Sequence, residues 1–379
     1  MDQYAPIGFN RPFMTGRETT YIEDAVQQGK ISGDGTYTQK CHDFFTHRYG
    51  FKKVLLTTSC TDALEMAALL LNIQAGDEVI APAYTFVSTV NAFVLRGAQL
   101  VFADSCADHP CMDVTQLEAL ITPKTKAIVV VHYAGIACDM EAIMALANHY
   151  GLFVVEDAAH AIDAYYHNRP LGSFGHLATF SFHETKNIIS GEGGLLVIND
   201  EQFIQRAEII REKGTNRSQF FRGEVDKYNW VDMGSSFLPS DIIAAFLFAQ
   251  LEHIDRIQAK RKAIWQHYYD GLIALSQWGI QLPFIPAYAG NNGHLFYLVC
   301  QHETQRNQLI QGLKAQHIQA VFHYLALNKS PYYLAQNPQA PTLQQAERYS
   351  NCLVRLPLFY NLEETQTQRI VDAVIRILR

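Results

Sequence analysis

Between residue 53 and about residue 200, short apolar runs alternate with longer helix-like segments. The apolar runs have the length of strands; they are Val54–Thr57, Glu78–Ala81, Gln99–Ala103, Ala127–His132, Phe153–Glu156, Ala178–Phe182 and Leu195–Asn199. The segments between them have the pattern of helices; they are Thr61–Asn72, Val87–Arg96, Val114–Ile121 and Asp139–Tyr150. This alternation predicts an α/β fold with a mostly parallel sheet. Because the runs are continuously apolar, we expect helices to flank the sheet on both faces.

The pattern changes after residue 240. No Gly or Pro lies between Ser240 and Asp270, which predicts helix over about residues 240–275. A stretch with Pro and Gly, Leu282–Gly293, then leads into a strand-like run, His294–Cys300. Helix and strand patterns alternate to the end. We therefore expect a large domain over residues 1–250, including the N-terminal segment, and a smaller α+β domain over residues 251–379.

Composition narrows the class of protein. The chain of 379 residues is 48% hydrophobic and 18% charged, which is typical of a globular protein. Its net charge is −7 and it has no basic block, which argues against nucleic acid as a partner. The cysteine count is odd, seven, without a CxxC pair, so we expect neither a disulfide framework nor a metal site. With no signal peptide and no apolar run of about 20 residues, we expect a cytoplasmic protein without membrane insertion.

Ligands of open α/β sheets bind beyond the carboxyl ends of the strands, so the residues that follow each strand are candidates. The segment Thr57–Asp62 leaves a strand and opens a helix, where free amides and hydroxyls form a phosphate cradle. The alternative is a simple helix cap. The segment Pro82–Phe86 also leaves a strand, and its aromatic residue is suited to stack on a flat ring. The alternative is a core aromatic residue.

Two further segments carry charged groups. In the segment Val154–His160 the apolar run ends in two carboxylates, Glu156 and Asp157. An Asp there is placed to pair with a protonated ring nitrogen; the alternative is a helix cap or a surface acid. The run Phe180–Lys186 ends in a lysine among aromatic residues and is followed by Gly191–Gly194. An apolar pocket lowers the pKa of such a lysine so that its neutral amine attacks an aldehyde; the alternative is a solvated loop lysine. In this order, the four segments predict a site for pyridoxal phosphate.

The chain resembles the DegT/DnrJ/EryC1/StrS family of sugar aminotransferases. The resemblance covers nearly the whole length, and the SFHxxK…GEGG combination is its most specific part. The segments that carry it are Gly33–Thr38, VIAPAYTFVSTVNA, VVVHYAG, VVEDAAHA, FSFHETKN with GEGG, FHYLAL and RLPLFYNL. The resemblance implies the type I fold of aminotransferases that depend on pyridoxal phosphate, which takes its pyridoxamine form during turnover.

Carried over position by position, the resemblance implies a role for each site residue. Lys186 would bind the cofactor's aldehyde and move the substrate proton, Asp157 would keep the pyridine nitrogen protonated, and Phe86 would lie against the ring. The phosphate would be held by the Cys60 and Thr61 backbone with the side chains of Thr61 and Ser181. His160 stands where many relatives have Gln near the 3-hydroxyl group, and its protonation would make that contact pH-dependent.

The resemblance also implies partners. The family forms homodimers with shared active sites, so we expect a homodimer. Ser236 lies where many relatives carry an Asn that reaches into the partner's site, which puts that contact in doubt. His323 and Tyr324 are candidate sugar contacts, or else core residues. Arg217, Arg222 and Lys227 are further candidates for a diphosphate.

The segment 209–236 is most similar to the branch of the family that makes dTDP-4-amino-4,6-dideoxygalactose. It implies dTDP-4-keto-6-deoxy-glucose as acceptor and L-glutamate as donor, with a product destined for a surface polysaccharide such as enterobacterial common antigen or O-antigen. Amination at C3, or of a GDP- or UDP-linked sugar, stays open. A sugar dehydratase of the same fold is disfavoured because those relatives carry His at the position of Lys186. A binding protein without catalysis is disfavoured because all four segments hold competent residues.

Overall fold

A computed structural model describes residues 5–379. Its strands are β1 Lys53–Thr57, β2 Glu78–Pro82, β3 Gln99–Ala103, β4 Thr125–Val131, β5 Phe153–Asp157, β6 Tyr165–Tyr166, β7 Arg169–Pro170, β8 Leu177–Ser181, β9 Gly194–Ile198, β10 Phe296–Val299, β11 Val321–Phe322 and β12 Leu353–Leu356. Its helices are α1 Glu18–Gln27, α2 Thr36–Tyr49, α3 Cys60–Leu70, α4 Ser88–Val94, α5 Met140–Tyr150, α6 Ile204–Arg211, α7 Arg217–Phe221, α8 Asp241–Leu251, α9 Ile254–Leu272, α10 Glu303–Ala315, α11 Pro331–Gln336, α12 Gln344–Cys352 and α13 Glu364–Leu378.

The main sheet has seven strands in the order β1-β9-β8-β5-β4-β2-β3. Strands β8, β5, β4, β2 and β3 run parallel, and β9 runs antiparallel to both of its neighbours. Since β1 and β8 both oppose β9, they point the same way. The carboxyl ends of β1, β8, β5, β4 and β2 therefore meet at one edge, and β9 begins there. The predicted α/β fold with a mostly parallel sheet flanked by helices is confirmed.

Every predicted strand overlaps an observed strand. Two predicted helices, however, differ from those in the structure. Val114–Ile121 forms two short 3-10 turns, Val114–Gln116 and Glu118–Leu120, because the Asp113 side chain caps the Thr115 amide and Pro123 follows closely. The helix predicted over 240–275 divides at His253, whose backbone is not helical. The division lets α8 pack on α1 and α2 while α9 packs on α13.

A second sheet, in the order β10-β12-β11, belongs to a smaller hydrophobic core. Helix α9 contributes to both cores: Ile254 and Ile257 lie in the large one, and Ile264 lies in the small one. Ile7 of the N-terminal segment also lies in the small core and bridges Ile318. The division of the chain at residue 250 stays a prediction. Within residues 5–379, no helix combines the length and the apolar character needed to span a bilayer.

Candidate active site

Contacts between side chains join three of the predicted segments at the carboxyl edge of the main sheet. The Thr61 hydroxyl, just after β1, donates to Ser88 Oγ of α4 at 2.9 Å. The neighbouring Thr89 hydroxyl donates to Asp157 Oδ2, at the end of β5, at 2.7 Å. Cys60 Sγ lies 3.5 Å from Thr179 Oγ1 on β8. Hydrogen bonds between side chains thus join the segments after β1, β2 and β5 at this edge of the sheet.

The start of α3 has the features of an anion cradle. Ser59 caps the helix by accepting from the Asp62 amide at 3.0 Å. The amides of Cys60 and Thr61, the first two residues of α3, have no acceptor within residues 5–379. An anion bound there receives these donors and the positive end of the helix dipole. Ser181 ends β8 at the same edge, and its Oγ accepts from the His183 amide at 3.4 Å.

A glycine allows β9 to approach this cradle. A Cβ on Gly194 would lie 2.3 Å from the carbonyl carbon of Ser59, closer than two such atoms can come. Gly194 pairs with Thr57 on one side and with Ser181 on the other. The glycine therefore brings the ends of β1 and β8 to the same place, which explains why the GEGG sequence accompanies the lysine.

Of the two adjacent acids at the end of β5, Asp157 is the one available to a ligand. Glu156 is fully buried on the other face, where it accepts from the amides of Phe174 and Gly175 at 2.7 Å and lies 3.0 Å from His132 Nε2. Among residues 5–379, Asp157 accepts only from the Thr89 hydroxyl at 2.7 Å and from the Ala159 amide at 3.1 Å. Burial raises the pKa of Asp157, against those hydrogen bonds and the charge of Lys186. A cation placed beside it would restore its charged form.

Lys186 lies in the turn between β8 and β9, where its amide donates to the His183 carbonyl at 2.9 Å. Burial lowers the pKa of its amine to about 8, and Arg355 contributes, while Cys60 and Asp157 act in the opposite direction. The neutral amine, which attack on a carbonyl carbon and proton transfer both require, is therefore far more populated near neutral pH than in an ordinary lysine.

A buried polar network, which the sequence patterns did not reveal, fixes the lysine's turn. The Asn187 side chain donates to Gln258 Oε1 at 2.8 Å and to the Asn292 carbonyl at 2.9 Å, and its Oδ1 lies 2.7 Å from His294 Nδ1. All four residues are buried. The network ties the residue after Lys186 to α9 and to the segment that leads into the small domain. Its one sequence signal is a polar residue directly before the apolar pair Ile188 and Ile189.

Phe86 is a large aromatic residue whose side chain remains exposed in the fold. Its side chain is 56% exposed, and its ring centroid lies 6.2 Å from that of Tyr324. A core aromatic residue would be covered on both faces. The exposed ring is consistent with the predicted stacking on a flat ligand.

His160 is held as a neutral ring. The Ala134 amide donates to His160 Nδ1 at 3.3 Å, so the proton of the ring is on Nε2, which lies 3.3 Å from the Tyr324 hydroxyl. The His160 ring also stacks on His294 at 4.2 Å. Burial lowers the pKa of His160 well below its usual value, and Lys186 and Arg355 add to the effect. The expected pH dependence of its contact near neutrality is not supported, because this ring stays uncharged.

His323 and Tyr324 differ in their surroundings. His323 is buried, its Nδ1 lies 2.7 Å from the Tyr133 hydroxyl, and its carbonyl accepts from the Tyr84 hydroxyl at 2.9 Å. It therefore has the environment of a satisfied core histidine. Tyr324 lies between Phe86 and His160, with a positive φ of 36° that turns the chain at this point. Tyr324 is the better placed of the two for ligand contact.

The segment 209–236 presents an exposed surface. Ser236 is exposed and bridges Glu212 across a short antiparallel contact. Trp230 is 81% exposed. Arg222 already pairs with Glu208 at 2.9 Å and with Glu224 at 2.6 Å, so two carboxylates compete for the guanidinium proposed for a diphosphate.

Comparison with known proteins identifies the class of enzyme. The α/β fold, with its seven-stranded and mostly parallel sheet, is that of aminotransferases that depend on pyridoxal phosphate. The model of the DegT/DnrJ/EryC1/StrS aminotransferase family matches residues 12–375, and the chain belongs to this family.

Solved structures with similar folds include three aminotransferases. The putative sugar aminotransferase Spr1654 of Streptococcus pneumoniae, in its PMP form, is 26% identical, with 98% of this chain and 99% of that chain covered and a TM-score of 0.90. DesV of S. venezuelae is 29% identical over 99% of both chains, with a TM-score of 0.89. The aminotransferase TlmJ of Streptoalloteichus hindustanus is 25% identical over 99% of both chains, with a TM-score of 0.91.

Proposed function

We propose that this aminotransferase uses pyridoxal phosphate to move an amino group from L-glutamate to a nucleotide-linked 4-keto-6-deoxy sugar. The observation that carries the proposal is the placement of Lys186, with its lowered pKa, at the same sheet edge as Asp157 and the open amides of α3. Spr1654 has been solved in PLP and PMP forms, which supports the cofactor.

The residues present suit the cofactor's three chemical parts. The amides of Cys60 and Thr61, with the Thr61 and Ser181 hydroxyls, would hold the phosphate. The exposed face of Phe86 would cover one side of the ring. Asp157, buried and oriented by Thr89, would keep the ring nitrogen protonated.

When bound, pyridoxal phosphate supplies an electron sink for the substrate carbon that loses or gains a proton. Lys186 would accept that proton on its neutral amine and return it at the adjacent position in the same half-reaction. Asn187, held by its buried partners, would keep the lysine's turn in place during this transfer. The neutral His160 would offer a hydrogen bond whose strength stays constant with pH.

The finer proposal concerns the sugar. The resemblance of segment 209–236 supports dTDP-4-keto-6-deoxy-glucose as acceptor and dTDP-4-amino-4,6-dideoxygalactose as product, destined for a surface polysaccharide. The test is turnover of a panel of dTDP-, GDP- and UDP-linked keto-sugars with L-glutamate, with the product identified by NMR. We expect preferred turnover of the dTDP-linked 4-keto sugar, with an axial amine at C4. Nitrogen at C3, or preference for a GDP- or UDP-linked sugar, would replace this substrate assignment but keep the chemistry.

A same-fold dehydratase is the second candidate. Lys186 itself argues against it, because the resemblance places His at this position in those relatives. A deoxygenated product without nitrogen, formed from the same panel, would favour it.

A homodimer in the cytoplasm is part of the same proposal. Apolar side chains of segment 209–236 are exposed in the single chain, including Phe221 and Trp230. Exposed apolar surface of this kind favours contact with a second copy. Whether Ser236 replaces the Asn of relatives at that contact stays a prediction.

A further inference from the structure

The loop that follows β3 carries three different kinds of metal-binding side chain. Its sequence is CADHPC, residues 106–111, so a thiol, a carboxylate and an imidazole fall within four residues. The Cys106 amide donates to the Cys111 carbonyl at 2.8 Å, which closes the loop as a tight turn. One ligand atom from each of Cys106, Asp108 and His109 lies within 4.8 Å of the other two.

The spacing of these three atoms suits a zinc ion. Zinc binds sulfur at about 2.3 Å and nitrogen or oxygen at about 2.0 Å, usually with tetrahedral geometry, so its ligands lie about 3.3–3.6 Å apart. His109 Nδ1 already lies 2.6 Å from Asp108 Oδ1, and small rotations of the side chains are enough to place all three atoms around one ion. The thiolate of Cys106 and the carboxylate of Asp108 together offset the two charges of the ion.

The backbone of this loop is held in place by residues distant in the sequence. The carbonyls of residues 106, 107 and 108 each accept a hydrogen bond from a side chain. The donors are, in that order, Tyr349 at 2.9 Å, Arg348 at 3.1 Å and Gln281 at 2.6 Å. Because three successive peptide groups are fixed, the ligand side chains are presented together from a frame that is already ordered.

The three side chains differ in their exposure to solvent. The His109 side chain is buried, with its ring 6.0 Å from that of Phe284, and Cys106 is partly buried. The Asp108 side chain is 56% exposed, which leaves an entry path for an ion and room for water in its coordination shell. The thiol of Cys111, the other cysteine of the loop, is engaged elsewhere, since it donates to the Ile136 carbonyl at 3.4 Å.

We propose that Cys106, Asp108 and His109 bind a zinc ion. Magnesium and calcium take oxygen ligands, whereas a set of sulfur, nitrogen and oxygen ligands favours zinc. The absence of a CxxC pair argued against a metal site, but this single turn provides a different ligand set.

The role of the ion would be structural. Strand β3 lies three positions from β5 in the main sheet, which is roughly 14 Å at the usual strand spacing. The ion would therefore lie apart from Asp157 and take no part in proton transfer. It would instead stiffen the loop through which the end of β3 contacts Arg348 and Tyr349 of α12.

The experiment uses cobalt(II) as the probe, in tag-free, cofactor-loaded protein that has been treated with a chelator. Cobalt(II) bound by a thiolate gives a charge-transfer band, and its d–d bands lie at longer wavelengths than the absorption of the cofactor. We expect one ion per chain, displaced by zinc. Cys106→Ser and Asp108→Asn should each weaken binding at least about 100-fold, since loss of an outer-shell partner alone costs about 10- to 100-fold. Asp108→Asn changes an exposed side chain, so this variant should fold normally.

Cys111→Ala is the matched control, because it removes the other thiol of the same loop, and His149→Asn removes an exposed histidine elsewhere. Both should bind cobalt as the wild type does. Zinc should also raise the midpoint of thermal unfolding in the wild type and in both controls, but not in Cys106→Ser. A wild type without cobalt bands, or bands that persist undiminished in Cys106→Ser and Asp108→Asn, would overturn the proposal. None of these measurements requires turnover, so their outcome does not depend on the proposed transamination.

Discussion

The Thr89 hydroxyl donates to Asp157 Oδ2 at 2.7 Å, and this bond joins the segment after β2 to the acid at the end of β5. Thr89 is itself buried and receives a second contact, 2.8 Å, from the Thr85 hydroxyl. Phe86 lies between these two threonines in the chain. One short segment therefore presents an exposed aromatic ring and orients the carboxylate proposed for the ring nitrogen.

This relationship predicts a graded response to substitution. Asp157→Asn removes the negative charge and should lower kcat by about 10²- to 10³-fold, since the ring nitrogen then loses its ionic partner. Thr89→Val keeps the shape but removes one hydrogen bond, so a loss of about 10-fold is expected. Steady-state kinetics with saturating cofactor measure both. Equal activity of Asp157→Asn and wild type would show that Asp157 is not the partner of the ring nitrogen.

The lowered pKa of Lys186 predicts a specific pH profile. Below its pKa of about 8 the amine is protonated and unreactive, and above it the amine is neutral, whereas an ordinary lysine changes at 10.5. The rate at which cofactor-free protein captures pyridoxal phosphate at Lys186, located by reduction and mass spectrometry, should therefore rise with a midpoint near pH 8. Burial is the main cause of this lowered pKa; Cys60 and Asp157 oppose it, and the charge of Arg355 adds to it. A midpoint above pH 10 would mean that burial does not act on this amine.

Asn187 should matter for stability more than an exposed asparagine does. Asn187→Ala removes the buried partner of Gln258 Oε1, the Asn292 carbonyl and His294 Nδ1, and we expect the free energy of unfolding to fall by about 3 kcal/mol. Asn229→Ala, whose side chain is exposed, should change it by less than about 0.5 kcal/mol. Urea unfolding gives both values. A similar small loss in the two variants would show that the network contributes little.

The exposed apolar surface of segment 209–236 predicts self-association. Analytical ultracentrifugation should give the mass of two chains for the wild type. Trp230→Ser removes the most exposed of its aromatic side chains and should weaken the dimer. Lys262→Ser, on the exposed side of α9, serves as control. Monomers at all concentrations of wild-type protein would refute the predicted homodimer.

The parts that could be predicted from sequence depend on local pattern. The strands could be predicted because buried strands have continuous apolar sequences. The site residues that follow them, from Thr61 to Lys186, could be predicted because helix starts also have a local sequence pattern. The Asn187 network and the effect of Arg355 on the pKa of Lys186 involve residues far apart in the chain, so no local pattern contains them. The break at His253 depends on which helices α8 and α9 pack against. The neutral state of His160 depends on burial and on the charges of Lys186 and Arg355, and its tautomer depends on the Ala134 amide. Only the folded chain brings these groups together.

Lys186 is the residue proposed to transfer the proton during transamination on a bound cofactor. The most direct measurement follows the visible absorption of the purified, cofactor-loaded protein during alternate additions of L-glutamate and dTDP-4-keto-6-deoxy-glucose. We expect glutamate to bleach the cofactor band and the keto-sugar to restore it, in the wild type and in Lys262→Ala, while Lys186→Ala does not cycle. Many turnovers by Lys186→Ala, or a wild-type band that does not respond to either compound, would contradict it.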